Sequence, residues 1–369
     1  MPEPLGRVCH VTTVHFADDH RILWKECVSL RAAGYDVTLI APAEHDLEIA
    51  GVRVVALPPS SSNRARRMLA RPQAAFRAAL ELDAALYHFH DPEFLPHAVR
   101  LARRGKPVVY DVHEDLPKQL LTKPWIPPAM RRPVAWCANR VELAAARRLS
   151  AVICSEPPYI ERMSPHVRRA VLVANFPRLE EISPGPWDER ARAACYVGDL
   201  SRIRGLVELV DAMADVSGEL ELAGPFDSSL SRRDLEASPG WQRVRFQGRI
   251  GRSEIVALLR RCRVGVVPLH AVPNYVVAWP VKLFEYMAAG LPVVATDVPP
   301  WNGIIERFRC GICVPVSDAR ALAAAITRLL DDAGEAREMG ERGRRAVEEH
   351  YSWTSQEANL LGLYEALLR

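Results

Sequence analysis

The sequence has 369 residues, of which 49% are hydrophobic and 25% are charged, as is ordinary for a soluble globular protein. This length predicts two domains of roughly 150–200 residues each. The net charge of +3 is too small to indicate nucleic-acid binding. We find no signal-peptide pattern at the start and no apolar run of the roughly 18 residues that a membrane span needs, so we expect a cytoplasmic protein.

The eight cysteines are scattered through apolar segments, which is typical of buried free thiols in a reducing compartment. Cys310 and Cys313 form a single CxxC pair in FRCGICVPV, where a turn is predicted to lead into a strand. A zinc site usually needs a second ligand pair, and a redox pair normally opens a helix. We therefore favour core packing for this pair, and we expect neither a metal nor a cofactor.

The first half of the sequence alternates apolar runs with segments of helical spacing. In chain order we predict strands at RVCHVTTVH, DVTLIAP, VRVVALP, AALYHFHD, KPVVYDVHED, AVICSE and AVLVANFP, and helices at RILWKECVSLRAAG and VELAAARRLS. Strands that are apolar on both faces and separated by helices favour a parallel, doubly wound α/β sheet.

The pattern breaks over residues 176–194, which are rich in proline and charge and indicate a linker. We therefore predict an N-terminal domain over residues 1–175 and a C-terminal domain over residues 195–350. The amphipathic helix within residues 351–369 is expected to pack back on the N-terminal domain.

The second half repeats the alternation of strands and helices. We predict strands at ACYVGDL, GELELAGP, VRFQGRI, RVGVVPL, PVVAT and CGICVPV, and helices at GLVELVDAMADV, RSEIVALLRRC, KLFEYMAAG and ARALAAAITRLLDD. This order predicts a second α/β sheet.

Polar residues that directly follow the predicted strands are candidates for a site, because ligands of open α/β sheets bind beyond the carboxyl ends of the strands. In the first half these are His15, Asp18, Asp19, Arg21, His88, His90, Asp91, Asp111, His113, Glu114 and Asp115. In the second half they are Gly198, Asp199, Arg202, Arg204, Gly224, Gly248, Arg249, His270, Asn274, Tyr275 and Glu285. Any one of them alone is better explained as a solvated loop residue. The recurrence of histidine and glycine at this edge in both halves favours a cleft between two domains.

Glu285 stands in the segment KLFEYMAAGLPVVATDVPPW, where we predict a short apolar helix with this carboxylate in its first turn. One interpretation is that the helix macrodipole favours a negative charge there. The other is that the helix start binds an anion while Glu285 holds a group attached to that anion.

Four segments resemble retaining glycosyltransferases of family 4, which have the GT-B fold. PVKLFEYMAAGLPVVATDVPPWNGIIERFRCGICVPVSDARALAAAI resembles the donor-binding segment of that family closely, and CYVGDLSRIRGLVELVDAM resembles the start of its C-terminal domain. VCHVTTVHFADDHRILWKECVSLRAAGYDVTLIAP and HFHDPEFLP with VVYDVHEDLP resemble one bacterial branch. The resemblance implies two Rossmann-like domains that face a central cleft, with the acceptor bound by the N-terminal domain.

The resemblance also implies roles for individual residues of the donor site. Glu285 would accept hydrogen bonds from the ribose, and the backbone N–H groups around Lys282, Leu283 and Phe284 would meet the diphosphate. Arg204, helped by Arg202, would neutralise the leaving diphosphate.

The resemblance implies further roles for the backbone and for the sugar. Gly198 would allow close approach of the backbone to the phosphates, and the chain at Gly248 and Arg249 would run beside the nucleobase. His113 would contact the transferred sugar.

Two positions depart from the family pattern. Val277 stands where the family has a further glutamate, eight residues before Glu285. We expect Asn274, Tyr275 or His270 to substitute for that glutamate, or the recognised sugar to differ. Asp199 stands where the family has an arginine after the first glycine.

The expected activity is a metal-independent transfer of a sugar, with retention of configuration, from a nucleoside diphosphate to a hydroxyl of a glycan, lipid-linked or small-molecule acceptor. UDP is the default nucleotide, because it is the commonest in this family. Two alternatives remain: a sugar-nucleotide epimerase of the same fold, and a non-catalytic homologue that binds a nucleotide sugar. A nicotinamide dehydrogenase is disfavoured, because neither half opens with GxGxxG.

Two basic segments in the first half favour contact with an anionic membrane. NRARRMLARPQAAFRAA carries Arg64, Arg66, Arg67, Arg71 and Arg77, and KPWIPPAMRRPVAW mixes Lys123, Arg131 and Arg132 with Trp125, Ile126, Met130 and Trp136. A solvated helix face and a packed proline-rich loop explain these two segments equally well.

Overall fold

The computed structural model describes residues 5–57, 64–123 and 125–369, and for residues 64–68 the backbone alone. The chain divides into two compact units. The first unit comprises the chain up to Asn175 together with Thr354–Arg369, and the second comprises Phe176–Trp353. Residues 176–194, which the sequence marks as a linker, lie in the second unit, and its first strand begins within them.

The first unit is built on a sheet that has eight strands within the described residues. These strands are β1 Arg7–Val11, β2 Asp36–Pro42, β3 Leu47–Ile49, β4 Val52–Leu57, β5 Leu86–Phe89, β6 Val108–Val112, β7 Ala151–Cys154 and β8 Ala170–Leu172. Their order in the sheet is β3-β4-β2-β1-β5-β6-β7-β8. β3 pairs antiparallel with β4, and the other neighbours pair in parallel.

The helices of the first unit follow its strands. A π-helix at His20–Cys27 continues as α1 Val28–Ala32, and the others are α2 Arg64–Leu82, α3 Leu95–Ala102, α4 Leu116–Thr122, α5 Pro128–Ala146 and α6 Pro157–Met163. The segment KPWIPPAMRRPVAW is therefore largely helical. Pro128 occupies the first turn of α5, where its missing N–H has no partner to lose.

The second unit has six parallel strands in the order β11-β10-β9-β12-β13-β14 within the described residues. They are β9 Ala193–Val197, β10 Glu219–Ala223, β11 Val244–Gly248, β12 Val264–Val267, β13 Val293–Thr296 and β14 Gly311–Val314. The helices are α7 Leu206–Ala212, α8 Arg232–Glu236, α9 Arg252–Arg261, α10 Val281–Ala288, α11 Trp301–Phe308, α12 Ala319–Asp331 and α13 Ala333–His350.

The last helix, α14 Trp353–Leu368, returns to the first unit. The hydroxyl of Tyr364 on this helix lies 2.9 Å from Nε2 of His10 and 2.8 Å from Nδ1 of His88, and all three side chains are buried. Polar contacts therefore fix α14 against the ends of β1 and β5.

The α/β prediction, with two parallel Rossmann-like sheets, is confirmed. The expected position of Glu285 is wrong: α10 begins at Val281, so Glu285 is its fifth residue and lies in the second turn. The macrodipole therefore gives this carboxylate little stabilisation, since that effect fades beyond the first turn. No helix in the described ranges is both long enough and apolar enough to cross a membrane.

Candidate active site

The first unit contains a cavity of about 810 Å³ beyond the carboxyl ends of β1, β5 and β6. Of the residues proposed from the sequence, His15, His90, Asp91, His113 and Glu114 line this cavity. Its volume lies within the roughly 300–1,000 Å³ that small-molecule sites usually have.

Asp91 and His15 form one wall of this cavity. Asp91 Oδ2 accepts hydrogen bonds from Thr12 Oγ1 at 2.8 Å and from the Thr13 N–H at 2.6 Å. His15 lies with its Nε2 3.6 Å from Asp91 Oδ1 and its Nδ1 3.4 Å from Asp19 Oδ2. Burial opposes protonation of His15, but the two carboxylates outweigh burial and raise its pKa to about 9. His15 therefore presents a positive charge to the cavity at neutral pH.

Asp111, at the end of β6, orients His113. Its Oδ2 lies 2.6 Å from Nε2 of His113 and 3.2 Å from Nδ1 of His90. Arg21 donates two hydrogen bonds to the same carboxylate, from Nε at 3.0 Å and from Nη2 at 2.9 Å. Although burial raises the pKa of Asp111, the charges of Arg21 and then His113 hold it well below its usual value. Asp111 is therefore an ionised anchor behind His113.

Arg21 and Asp19 lie outside the cavity wall. The Arg21 side chain is 4% exposed, and besides Asp111 its Nε lies 3.1 Å from Oε1 of Glu26. Asp19 caps the π-helix through its Oδ1, which accepts from the N–H groups of Arg21 and Ile22. Arg21 and Asp19 therefore hold Asp111 and His15 in place, and they do not contribute atoms to the wall that an acceptor would contact.

Beneath Asp111 lies a buried cluster of His10, Glu26, His88, His90 and Tyr364. One nitrogen of each histidine lies 3.9–4.0 Å from Oε2 of Glu26. Burial lowers the pKa of His10, His88 and His90, so their rings are neutral.

The donor types in this cluster suit a metal ion, as do those of the group His90, Asp111 and His113. Two contacts already occupy the first group, however. His88 Nδ1, the nitrogen that faces Glu26, lies 2.8 Å from the Tyr364 hydroxyl, and His10 Nδ1 lies 3.1 Å from His90 Nε2. In the second group, the Arg21 guanidinium already neutralises the Asp111 carboxylate through its two hydrogen bonds. Hydrogen bonding therefore accounts for the short distances within both groups.

In the second unit, three glycines lie side by side at the carboxyl ends of β9, β10 and β11. The N–H of Gly224 donates to the carbonyl of Gly248 at 2.8 Å, and the N–H of Gly198 donates to the carbonyl of Ala223 at 3.0 Å. A Cβ on Gly224 would lie 1.9 Å from the carbonyl oxygen of Gly198, so no side chain fits there. This edge therefore presents bare backbone to a ligand.

Two basic side chains flank Gly198. A Cβ at this position would lie 3.1 Å from Nζ of Lys282 and 3.4 Å from Nη1 of Arg204. Arg204 is paired with Asp199, whose Oδ2 lies 3.0 Å from its Nη2. Lys282 Nζ has no hydrogen-bond partner and lies 3.7 Å from the centroid of the Tyr196 ring. The two positive groups and the bare backbone together suit an anion.

Glu285 is held by Arg252, the first residue of α9. Nη1 of Arg252 donates to Oε1 of Glu285 at 2.5 Å, while its Nε lies 3.3 Å from Oε2 of Glu181. The Glu285 side chain is 16% exposed. Its second oxygen, Oε2, accepts no hydrogen bond from the described residues and is available to a ligand hydroxyl.

The other residues proposed for the donor site differ in exposure. Arg202 is bound to the carbonyl of Ser229 at 2.9 Å, and Arg249 is exposed. Asn274 has a buried Oδ1 without a partner, while Tyr275 opens the short helical turn that contains Val277. Leu283 and Phe284 are buried, so only their backbone N–H groups can serve the proposed role.

Three functional features escaped the sequence analysis. These are the pairing of Arg252 with Glu285, the Lys282 side chain beside Gly198, and Glu26 beneath Asp111. Arg252 and Glu26 stand at helical positions where spacing predicts a solvated charge. Lys282 carried one signal, because a lysine in an otherwise apolar helix must reach either solvent or an anion.

The comparisons with known proteins agree with this geometry. A family model described as "Glycosyl transferases group 1" matches residues 191–332, and one described as "Glycosyltransferase Family 4" matches residues 21–165. Together they span more than half of the chain. The chain belongs to this glycosyltransferase family.

A relative in Mycobacterium leprae, a phosphatidyl-myo-inositol mannosyltransferase, is 25% identical over 359 residues, which are 92% of this chain and 90% of the relative. Among solved structures, sucrose-phosphate synthase from Thermosynechococcus elongatus superposes with a TM-score of 0.79 at 23% identity, over 98% of each chain. Anabaena HepE in complex with UDP-glucose gives 0.73 at 14% identity, over 98% of this chain and all of that one. The fold is GT-B, and the chain is a glycosyltransferase.

Proposed function

We propose that this glycosyltransferase moves a sugar from a nucleoside diphosphate, with UDP favoured, to an acceptor hydroxyl with retention of anomeric configuration. The observation that carries the proposal is the group around Gly198 and α10 in the second unit. Arg204 and Lys282 lie where a diphosphate meets bare backbone, and Glu285 has an oxygen available for a ribose hydroxyl. The solved complex of HepE with UDP-glucose supports the choice of nucleotide.

The acceptor binds in the first unit, in the cavity lined by His15, Asp91 and His113. A protonated His15 and the carboxylates at the rim favour a hydroxylated acceptor, because they offer hydrogen-bond donors and acceptors together. His113, held by Asp111, contacts the transferred sugar. This division of tasks follows the resemblance to the family and the placement of the cavity.

The reaction proceeds by front-face attack. The bond between the anomeric carbon and the phosphate oxygen breaks, and its electron pair stays on the phosphate. The acceptor oxygen bonds to the same face of the carbon, and its proton passes to the leaving phosphate. Fixed cations beside Gly198 stabilise the charge that develops there, so the step needs no metal ion. Full activity in excess EDTA supports this point, and activity restored only by a divalent cation contradicts it.

A second part of the proposal is contact with an anionic membrane through α5. Met130, Trp136 and Val141 on this helix are exposed, as is Trp125 just before it. Arg140 lies 5.1 Å from the centroid of the Trp136 ring, so a cation accompanies the aromatic surface. Arg64, Arg66 and Arg67 lie outside the described side chains, whereas Arg71 lines the cavity of the first unit.

Liposome flotation tests the membrane contact. We expect the protein to float with vesicles that contain anionic lipid at low salt and to stay behind with neutral vesicles. Trp136→Ala should weaken flotation, with the exposed Leu5→Ala as a control outside both basic segments. Absence of binding at low salt contradicts the contact.

A turnover assay tests the transfer itself. Each nucleotide sugar is incubated with and without glycan, lipid and small-molecule acceptors, and released nucleoside diphosphate and product are measured. We expect release that depends on the acceptor, with a product that NMR shows to keep the anomeric configuration. Conversion of the nucleotide sugar without any acceptor favours an epimerase. Binding without release favours a non-catalytic homologue, and an inverted product contradicts retention.

A further inference from the structure

Lys282 stands in an unusual environment for a lysine. It is the second residue of α10, its side chain is 8% exposed, and its Nζ has no hydrogen-bond partner in the described structure. Nζ lies over the ring of Tyr196, 3.7 Å from its centroid. A buried amine without a hydrogen-bond partner lowers the stability of the ligand-free protein. A hydrogen bond that forms only when a ligand is bound explains why a lysine stands at this position.

The amine of Lys282 lies beside the backbone of Gly198, at the end of β9. A Cβ on that glycine would lie 3.1 Å from Nζ of Lys282 and 3.4 Å from Nη1 of Arg204. Gly198 has a φ of 135°, which a side chain would strain. Two basic side chains from different elements thus approach one point beside a bare backbone, which is an arrangement that suits phosphate oxygens.

The two basic groups at this point differ in their partners. Arg204 is paired with Asp199 at 3.0 Å, and no carboxylate lies within ion-pair distance of Lys282 in the described part of the chain. Burial, and then the charge of Arg204, lower the pKa of the Lys282 amine well below its usual value, while Asp199 and Glu285 oppose the change. An anion placed between the two groups favours the protonated form of the Lys282 amine, so the amine takes up a proton when the anion binds.

The pairing of Arg204 with Asp199 removes part of the positive charge from this point. A second basic group that reaches the same glycine from α10 makes up for that loss when it is protonated.

We propose that the side chain of Lys282, protonated in the complex, binds the β-phosphate of the donor together with Arg204. This inference rests on the proposed function and assigns its charge stabilisation to a named side chain. As the bond between the anomeric carbon and the phosphate oxygen breaks, the electron pair moves onto that oxygen. The ammonium donates a hydrogen bond to the phosphate and stays protonated, while the acceptor proton goes to the leaving oxygen.

The test compares Lys282→Met, Lys282→Arg and the control Lys106→Met by calorimetric titration with the preferred nucleoside diphosphate and with its nucleoside. Lys106 lies in the first unit, where it pairs with Asp83. We expect Lys282→Met to weaken diphosphate binding at least tenfold and to leave nucleoside binding unchanged. Lys282→Arg should recover part of the loss, and Lys106→Met should match wild type. In turnover, Lys282→Met should lower kcat by about 10²–10³-fold.

Two further readouts separate this role from a structural one. Ligand-free Lys282→Met should melt at or above the wild-type temperature, because it removes an unpaired buried amine. Titration at pH 8 in buffers of different ionisation heat should show proton uptake by wild type on binding diphosphate, and less by Lys282→Met. The groups that act on this amine are Tyr196, Asp199, Arg204 and Glu285.

The outcomes are distinguishable. If wild type binds a diphosphate and Lys282→Met binds it equally well, the role of Lys282 is refuted while the proposed function stands. If Lys282→Met loses diphosphate and nucleoside alike, the side chain supports the fold of the site and this inference is also refuted. If wild type binds no nucleoside diphosphate, the proposed function fails and the inference fails with it.

Discussion

Arg252 and Glu285 are joined by a hydrogen bond of 2.5 Å between Nη1 and Oε1, although they stand 33 residues apart on two helices. The pair ties the first turn of α9 to the second turn of α10. Because Arg252 also reaches Glu181, its guanidinium is fixed from two sides. Glu285 is thus set in one orientation before a nucleotide arrives, which reduces the entropy lost on binding.

Arg252→Met should weaken nucleotide binding without changing the chemical step. The variant removes the group that orients Glu285, so we expect KM for the donor to rise about tenfold, equivalent to about 1.4 kcal/mol. We expect kcat to change little, because Arg252 itself lies behind the carboxylate. Steady-state kinetics with varied donor measures both constants. Arg245→Met is the matched control, since its partner Glu219 lies at an exposed position. A large fall in kcat with unchanged KM would contradict this role.

Asp111→Asn and Glu26→Gln should differ sharply in stability, although both carboxyl groups are buried near Arg21. Burial, and then the charge of Asp111, raise the pKa of Glu26 well above its usual value, so Glu26 is neutral and an amide replaces it at a cost below about 1 kcal/mol. Asp111→Asn removes the ionised partner of Arg21 and should lower the free energy of unfolding by about 3 kcal/mol. Urea denaturation at pH 7 measures both, and equal losses would show that the charges are assigned wrongly.

The contribution of His15 to stability should disappear at high pH. Its folded pKa is about 9, above the ordinary value of 6.5, so the unfolded chain holds the proton less tightly. The stabilisation is therefore complete below pH 6.5 and is lost as the pH rises through about 9. We expect His15→Gln to be less stable than wild type at pH 6 and equal to it at pH 10, by urea denaturation. His166→Gln, on the surface of the same unit, serves as control. A difference that is the same at both pH values would contradict this assignment.

Gly224→Ala should destabilise the second unit by about 1–3 kcal/mol or more. The new Cβ would lie 1.9 Å from a backbone oxygen, and the glycine has a φ of 146°. Gly303→Ala provides a contrast, because no atom lies within 4 Å of the added Cβ in α11. That variant should gain up to about 1 kcal/mol from its higher helix propensity. Thermal melts of the two variants test the difference, and a neutral Gly224→Ala would show that the backbone at this edge is free to move.

Much of the fold follows from local sequence. Strands such as β7 and β12 are continuous apolar runs, and a parallel strand that is buried on both faces needs such a run. The glycines that follow β9 and β10 could be placed at the site edge for the same reason, since strand ends gather at one edge of a sheet. The family resemblance supplied the role of Glu285, which composition and periodicity do not contain.

The remaining features depend on contacts that spacing does not encode. The pairing of Arg252 with Glu285 arises because α9 and α10 follow different strands and meet only in the folded unit. The helix α5 was not predicted over its first half because the segment contains Pro128 and Pro133, and proline usually ends a helix unless it lies near the start. Glu285 was placed in the first turn because the helix was predicted to begin one residue late, at Lys282 instead of Val281, and helix boundaries are the part of a fold that sequence predicts least well.

The most direct measurement is a thermal-shift screen of UDP-, GDP-, ADP- and dTDP-sugars on wild type and Glu285→Ala. A ligand at about 100 times its Kd should stabilise the protein by about 2.7 kcal/mol, which is readily seen. The account predicts a shift with one nucleotide that is lost in Glu285→Ala. No shift with any of the four, or an equal shift in both proteins, would contradict the placement of a nucleotide sugar at α10.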